Sequence, residues 1–225
     1  MAYQTQDAGK NTATHFPIHP VEDKCVGCNR CIRVCPIETA NIARQDSEGN
    51  IKVEVDASQC ILCGACAGIC EHGARYVSDD AERFFADLAQ GKEISVITAP
   101  SIRTNLSAWR QLFTWLRALG VQVIYDVSLG GDICIWAHLR IIEQNPAPLI
   151  TQPCPVVVGY CERQRHDVLP YLSPVHSPRG CAAIYMRKEG IPGIIASLSA
   201  CLAKKEEPKG TSPCEVHTPY PGPLP

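Results

Sequence analysis

One run of four cysteines occurs twice in this chain, and nothing else in the sequence constrains the fold as much. Cys25-Val26-Gly27-Cys28-Asn29-Arg30-Cys31-Ile32-Arg33-Val34-Cys35-Pro36 recurs 35 residues later as Cys60-Ile61-Leu62-Cys63-Gly64-Ala65-Cys66-Ala67-Gly68-Ile69-Cys70-Glu71. Both copies read C-x-x-C-x-x-C-x-x-x-C. They hold eight of the 14 cysteines, and the other six are scattered over the following 155 positions, unlike the even density of a small disulfide scaffold. The first twenty residues are polar and lack the apolar centre of a signal peptide. A cytoplasmic, reducing location is therefore expected, where clustered thiols read as metal ligands.

The spacing has a physical meaning. Three thiolates at two-residue intervals on a tight loop can grip three corners of one iron–sulfur cube, while the fourth cysteine, on the helix that follows, points away and completes the other cube. This rule assigns Cys25, Cys28, Cys31 and Cys70 to a first 4Fe-4S cluster, and Cys60, Cys63, Cys66 and Cys35 to a second. Gly27, Gly64, Ala65, Ala67 and Gly68 are small enough to let backbone N–H groups approach the sulfides. Two structural zinc sites are the competing reading, although zinc usually pairs two C-x-x-C knuckles. Between the runs, residues 41–56 read as two short strands about a turn at Ser47-Glu48-Gly49-Asn50. Residues 15–77 together resemble the two-cluster bacterial ferredoxin. One departure is Glu71-His72 after Cys70, where Pro36 follows Cys35. Glu71 would lower the first cluster's potential and His72 would make it pH-sensitive; the plainer reading leaves both side chains solvated.

The remaining two-thirds alternates between helical and strand periods. Residues 78–92 read as a charged helical connector and 93–99 as a buried strand; Leu106, Trp109, Leu112, Phe113 and Leu116 form a helical stripe that Gly120 ends. Strands are expected at 121–125, 149–151 and 193–198, and helices at 133–142, 156–165 and 179–188. The fold class is thus an α+β ferredoxin-like two-cluster domain followed, over residues 93–207, by an incomplete α/β domain with a mostly parallel open sheet. In such sheets the chemistry collects beyond the carboxyl ends of the strands, which here carry Ser101, Asp126, Cys154 and Cys201. Cys134, Cys161 and Cys181 fall inside expected helices and read as small buried residues.

Ala99-Pro100-Ser101-Ile102-Arg103, Tyr125-Asp126-Val127-Ser128-Leu129-Gly130-Gly131-Asp132 and Thr151-Gln152-Pro153-Cys154-Pro155, placed behind a ferredoxin unit, resemble the iron–iron hydrogenase large subunit. That family's first cluster loop reads T-S-C-C-P and its second approximately M-P-C-x-A-K-K-x-E. Ser199-Ala200-Cys201-Leu202-Ala203-Lys204-Lys205-Glu206-Glu207 fits the second from the cysteine onward, and the resemblance covers about residues 21–207. It implies that Cys154 and Cys201 ligate the cubane of a hydrogen-activating cluster. It also implies that Lys204 donates to a cyanide on the diiron part, and that Pro100 and Ser101 line the diiron pocket. Without the family, Lys204-Lys205 is an exposed basic pair. The family's proton-relaying cysteine is Pro153 here, its acidic pair is Ala137-His138, and its next relay acid is Ile141. Only His138 among these can titrate, a pattern that resembles the family's sensory branch.

The family's third loop carries two more cysteines, spaced C-x-x-x-C, whereas only Cys214 follows Cys201. Residues 208–225 contain six prolines in 18 positions and are expected to be a disordered tail, as are residues 1–14. The reading is a C-terminally truncated member that binds two 4Fe-4S clusters, with a partial hydrogenase-type cluster a further candidate, and that transfers electrons to a redox partner protein. The alternative is a hydrogen sensor or oxidoreductase whose third loop is supplied elsewhere, with association through the incomplete α/β domain; enzymatic turnover is left open. A net charge of −2 gives no basic footprint for nucleic acid, and residues 191–203 are too short to span a bilayer.

Overall fold

The computed structural model describes residues 16–151 and 154–207, together with the backbone of Val216–Thr218. The readings of residues 1–14, Pro153 and Cys214, and of most of 208–225, lie outside the described residues.

The cysteine-rich part is built from two antiparallel strand pairs and two single-turn helices. β1 (Ile18–Pro20) is followed by α1 (Arg30–Arg33), β2 (Asn41–Gln45), β3 (Ile51–Val55), α2 (Ala65–Gly68) and β4 (Arg75–Val77). β1 pairs with β4, Ile18 opposite Val77, and β2 with β3, Ala43 opposite Val53. The expected hairpin is thus present. Its turn is tied by the Asp46 carboxylate, which accepts the N–H groups of Glu48 at 2.9 Å and Asn50 at 2.8 Å.

The sequence repeat is also a backbone repeat. Gly27 and Leu62, each two residues after the first cysteine of its run, are left-handed, with φ of 67° and 59°. Asn29 and Gly64, two residues further on, are left-handed too, with φ of 59° and 80°. A β-carbon on Gly27 would lie 2.7 Å from the Ile51 carbonyl oxygen, so glycine is required there on two counts. Leu62 accepts the same conformation against its preference because its side chain, 3% exposed, is locked in the core.

After α3 (Ala81–Ala89) come β5 (Ile94–Thr98), α4 (Ile102–Asn105), α5 (Trp109–Ala118), β6 (Ile124–Asp126), α6 (Ser128–Gln144), α7 (Pro155–Gln164), α8 (Pro178–Lys188), β7 (Ile194–Leu198) and β8 (Val216–Thr218). The sheet runs β6-β5-β7-β8 with every pairing parallel. Its central strands are buried on both faces. Ile94, Val96 and Ala196 pack with Phe84, Ile102 and Leu116 on one side, while Ile97 and Ile195 pack with Ala182, Ala183 and Met186 of α8 on the other.

Four expectations need correcting. The strand expected at 121–125 begins only at Ile124; the residues before it feed β5 with isolated bonds, such as Gln122 N–H to the Ile94 carbonyl at 2.9 Å. The helix expected from 133 starts at Ser128, where Asp126 Oδ1 accepts the Ser128 N–H at 2.9 Å and its hydroxyl at 2.6 Å. Residues 149–151 form no sheet strand. Ile150 makes a single bridge to Leu172, because Pro146 and Pro148 just before it cannot donate to a ladder. Finally, Val216–Thr218 is ordered as β8 against β7 where a disordered tail is expected, since the N–H and C=O groups along that side of β7 need partners.

Candidate metal centre

Both cysteine runs fold into the same loop-and-turn, and the burial of their last three cysteines repeats, whereas the first differs, Cys25 being half-buried and Cys60 buried. The second cysteine of each run, Cys28 or Cys63, is exposed; the third, Cys31 or Cys66, is buried; the fourth, Cys35 or Cys70, is half-buried. Both first cysteines have their backbone carbonyl held by a cation. Lys52 Nζ donates to the Cys25 carbonyl at 3.0 Å, and Arg163 of α7 donates to the Cys60 carbonyl.

Cysteines of one run lie near cysteines of the other. Cys70 lines one cavity together with Cys25, Cys28 and Cys31, a space of about 330 Å³ including its open mouth. Cys35 in turn lies within electrostatic reach of both Cys60 and Cys66, as Cys63 does. Burial pushes the Cys66 thiol up to about 11, with the charge of Arg75 pulling against it, and burial likewise raises Cys60. Among the described residues no three His, Cys, Asp or Glu side chains converge closely enough to hold a single metal ion.

The donors around these thiols suit an anionic sulfur-rich group. The Leu62 N–H points at Cys60 Sγ at 3.4 Å, an amide-to-sulfur bond of the kind that tunes a cluster. Arg75 Nη2 lies 3.5 Å from Cys31 Sγ, and its Nη1 is buried without a partner. The soft four-thiolate sets, the glycine-permitted loop and the orphaned donor all fit a 4Fe-4S cube. When bound, such a group stores and releases single electrons.

Glu71 and His72 are both exposed, in line with the plainer reading, and the Glu71 carboxylate pairs with Arg30 at 2.5 Å on the surface. His72 lines the first cavity. Arg75, Asn41 and Arg163 were not singled out by sequence. The one available signal was a charged residue at the start of a short, otherwise inward-facing strand.

The residues singled out by resemblance lie on the α/β part. Cys154 sits at the N-terminus of α7, where its carbonyl accepts the Val157 N–H at 3.0 Å, and not at the end of a sheet strand as expected. Cys201 follows β7, and its N–H donates to Ser199 Oγ at 3.2 Å before a 3₁₀ turn over Leu202–Glu206. Val156, Cys201 and Leu202 pack against the core that holds Cys60 and Cys66. Pro155 and Ala203, close neighbours of these two cysteines, border an open cleft. Lys204 is half-buried on the 3₁₀ turn, and its carbonyl accepts from Arg179 Nη2 at 2.5 Å. Ser101 is exposed at the start of α4. His138 is buried, with Nδ1 3.6 Å from Cys134 Sγ and Nε2 unpartnered. Cys134, Cys161 and Cys181 are buried.

Comparison with known proteins agrees with both halves of this architecture. Residues 24–74 match the 4Fe-4S dicluster domain, and residues 92–214 match the iron only hydrogenase large subunit, C-terminal domain. The NADP-reducing hydrogenase subunit HndD of Solidesulfovibrio fructosivorans is 27% identical over 82% of this chain and 38% of its own length. Iron hydrogenase 1 of Clostridium pasteurianum is 28% identical over 59% of this chain and 33% of its own. The probable cytosolic Fe-S cluster assembly factor oxy-4 of Caenorhabditis elegans is 23% identical over 81% of this chain and 44% of its own. The chain thus spans less than half the length of each of these relatives. No helix among the described residues is long and apolar enough to cross a membrane. With the second match covering more than half of its residues, the chain is an iron–sulfur protein that belongs to the iron-only hydrogenase large-subunit family.

Proposed function

We propose that the chain transfers electrons through two 4Fe-4S clusters. Cys25, Cys28, Cys31 and Cys70 hold the first, and Cys60, Cys63, Cys66 and Cys35 the second. The observation that supports this reading is that Cys70 lines the cavity of Cys25, Cys28 and Cys31, while Cys35 lies within electrostatic reach of Cys60 and Cys66. Residues 15–77 act as the cluster domain, 78–92 as a connector, and 93–207 as the hydrogenase-like α/β domain. The lineage is that of a hydrogen-sensing member, since Ala137 and Ile141 offer no proton relay. The partner is a redox protein, the chain acts in the cytoplasm, and the α/β domain provides a surface for association.

The core shared by Cys201, Val156 and the second cysteine run, beside the open cleft, favours a second reading. In it, Cys154 and Cys201 hold two corners of a further cubane, with Lys204 and Ser101 facing an attached group and the remaining ligands coming from outside residues 16–207. The protein is then a hydrogenase-like sensor or, as the name of the oxy-4 relative suggests, a factor in cluster assembly.

Anaerobic iron and sulfide counting with electron paramagnetic resonance separates these readings. About eight irons in both the wild type and the Cys154→Ala/Cys201→Ala variant fit two cubes and no third; about twelve, falling to eight, fit the second reading. Cys35→Ser should damage the cube built on Cys60, Cys63 and Cys66 and leave the other intact. Loss of the opposite cube would overturn this assignment.

A further inference from the structure

Arg75 opens β4 and is 9% exposed, an expensive place for a guanidinium. Its Nη2 donates to Asn41 Oδ1 at 3.0 Å and lies 3.5 Å from Cys31 Sγ. Its Nη1 is fully enclosed and has no hydrogen-bond partner. The neutral Asn41 amide and the Cys31 thiol do not balance the buried positive charge. What Arg75 does line is the cavity of Cys25, Cys28, Cys31 and Cys70. Its charge also reaches Cys66 of the other set. A buried cation therefore lines the cavity of the first four cysteines, in contact with Cys31, and lies within electrostatic reach of Cys66.

We infer that Arg75 is a fixed counter-cation for both clusters, in contact with the first through Cys31, and that it raises their reduction potentials, the first more than the second. This rests on the two-cluster reading. Reduction adds one negative charge to a cube, and a guanidinium at hydrogen-bond range in a low-dielectric interior favours that added charge. The same side chain ties β4 to β2 through Asn41, so Arg75 is a positioning and tuning residue whose electrostatic role must be separated from its structural one.

The test is a mediated redox titration of the cluster-loaded protein, followed by electron paramagnetic resonance, with iron counted in every sample. Arg75→Met should keep about eight irons and make reduction of the first cluster at least about tenfold less favourable, about 59 mV for a one-electron couple, with a smaller change at the second. Arg75→Lys should restore most of the difference, and Asn41→Ala should produce little of it. Eight irons with neither potential moved by Arg75→Met, or an equal shift in Asn41→Ala, would overturn the inference. Should Arg75→Met lose iron, pulsed resonance on reduced wild-type protein labelled with ¹⁵N-arginine decides. A nitrogen coupling that vanishes in Arg75→Lys supports the contact, and its absence from the wild type refutes it. Fewer than eight irons in the wild type would instead defeat the two-cluster reading itself.

Discussion

Arg179→Met should release the turn that carries Cys201 and Lys204. Arg179 sits in the first turn of α8, and its side chain is 5% exposed; that of Glu207 is 8% exposed. Arg179 Nε and Nη2 both donate to Glu207 Oε2, at 2.9 and 2.6 Å, and Nη2 also donates to the Lys204 carbonyl at 2.5 Å. Glu207 Oε1 is already buried without a partner. Removing the guanidinium therefore strands a carboxylate whose other oxygen has just lost both donors. Breaking a buried pair from one side costs about 3–5 kcal/mol, mostly for the uncompensated charge left behind. At about 1.4 kcal/mol per decade, the opened form should become roughly 100- to 4,000-fold more populated.

Removing both charges should undo most of this. Arg179→Met/Glu207→Leu should lie within about 1 kcal/mol of the wild type, since an apolar pair of similar volume often matches a buried ion pair. Global unfolding of a cluster-bearing protein is not expected to be two-state, so the suitable assay is native-state hydrogen exchange. The reporters are the Lys204 amide, bonded to the Cys201 carbonyl at 3.3 Å, and the Cys181 amide, bonded to the Ser177 carbonyl at 2.8 Å. Unchanged exchange in Arg179→Met would refute the reasoning. So would a double variant as damaged as the single one, which would place the cost in lost packing and not in the stranded charge.

Two further predictions concern neighbouring glycines and a half-buried histidine. In the α6–α8 crossing, a β-carbon on Gly130 would lie 2.0 Å from the Pro178 carbonyl oxygen, while one on Gly131 meets nothing within 4 Å. Gly130→Ala should therefore destabilise by about 3 kcal/mol, at the top of the usual overpacking range, whereas Gly131→Ala should stabilise by up to about 1 kcal/mol. Thermal melts with the same sign for both would contradict this crossing. Burial and Lys205 hold the His19 imidazole below its ordinary value of 6.5. Above that value His19 is neutral in both states; as pH falls through it, the unfolded chain takes up a proton that the folded one resists, and stability declines. His19→Gln should flatten this decline between pH 7.5 and 5.5, as read from the urea midpoint of cluster bleaching.

The parts of the fold legible in the sequence are those governed by local chemistry. The hairpin followed from alternating residues about the turn at residues 47–50, and β5, α7, α8 and β7 from period. What failed depended on partners distant in sequence. Residues 121–123 have the composition of a strand, but register places only Ile124–Asp126 on β5. Residues 149–151 are apolar enough for a strand, but Pro146 and Pro148 just before them leave one bridge. At the candidate site, the spacing of the eight cysteines carried the pattern. The cations around them did not declare themselves, because Lys52, Arg75 and Arg163 look like ordinary surface charges until the chain brings them to a sulfur or a carbonyl.

Those cations also show how the two halves of the chain depend on each other. Lys52, from the hairpin, holds the first cysteine's carbonyl in run one; Arg163, from α7, does the same in run two. Gln164, next along α7, donates to Gln59 Oε1 at 3.1 Å. A β-carbon on Gly64 would lie 3.0 Å from Leu202 Cδ1, so the second loop is closely covered by the 3₁₀ turn after Cys201. The first cysteine run thus gets its support from its own half, and the second from the α/β half. Removing the α/β part would leave run one with its hairpin support intact. It would strip run two of the Arg163 bond and of the apolar cover from Val156 and Leu202. The second cysteine set is therefore where an event in the hydrogenase-like part would first be felt by the cluster domain.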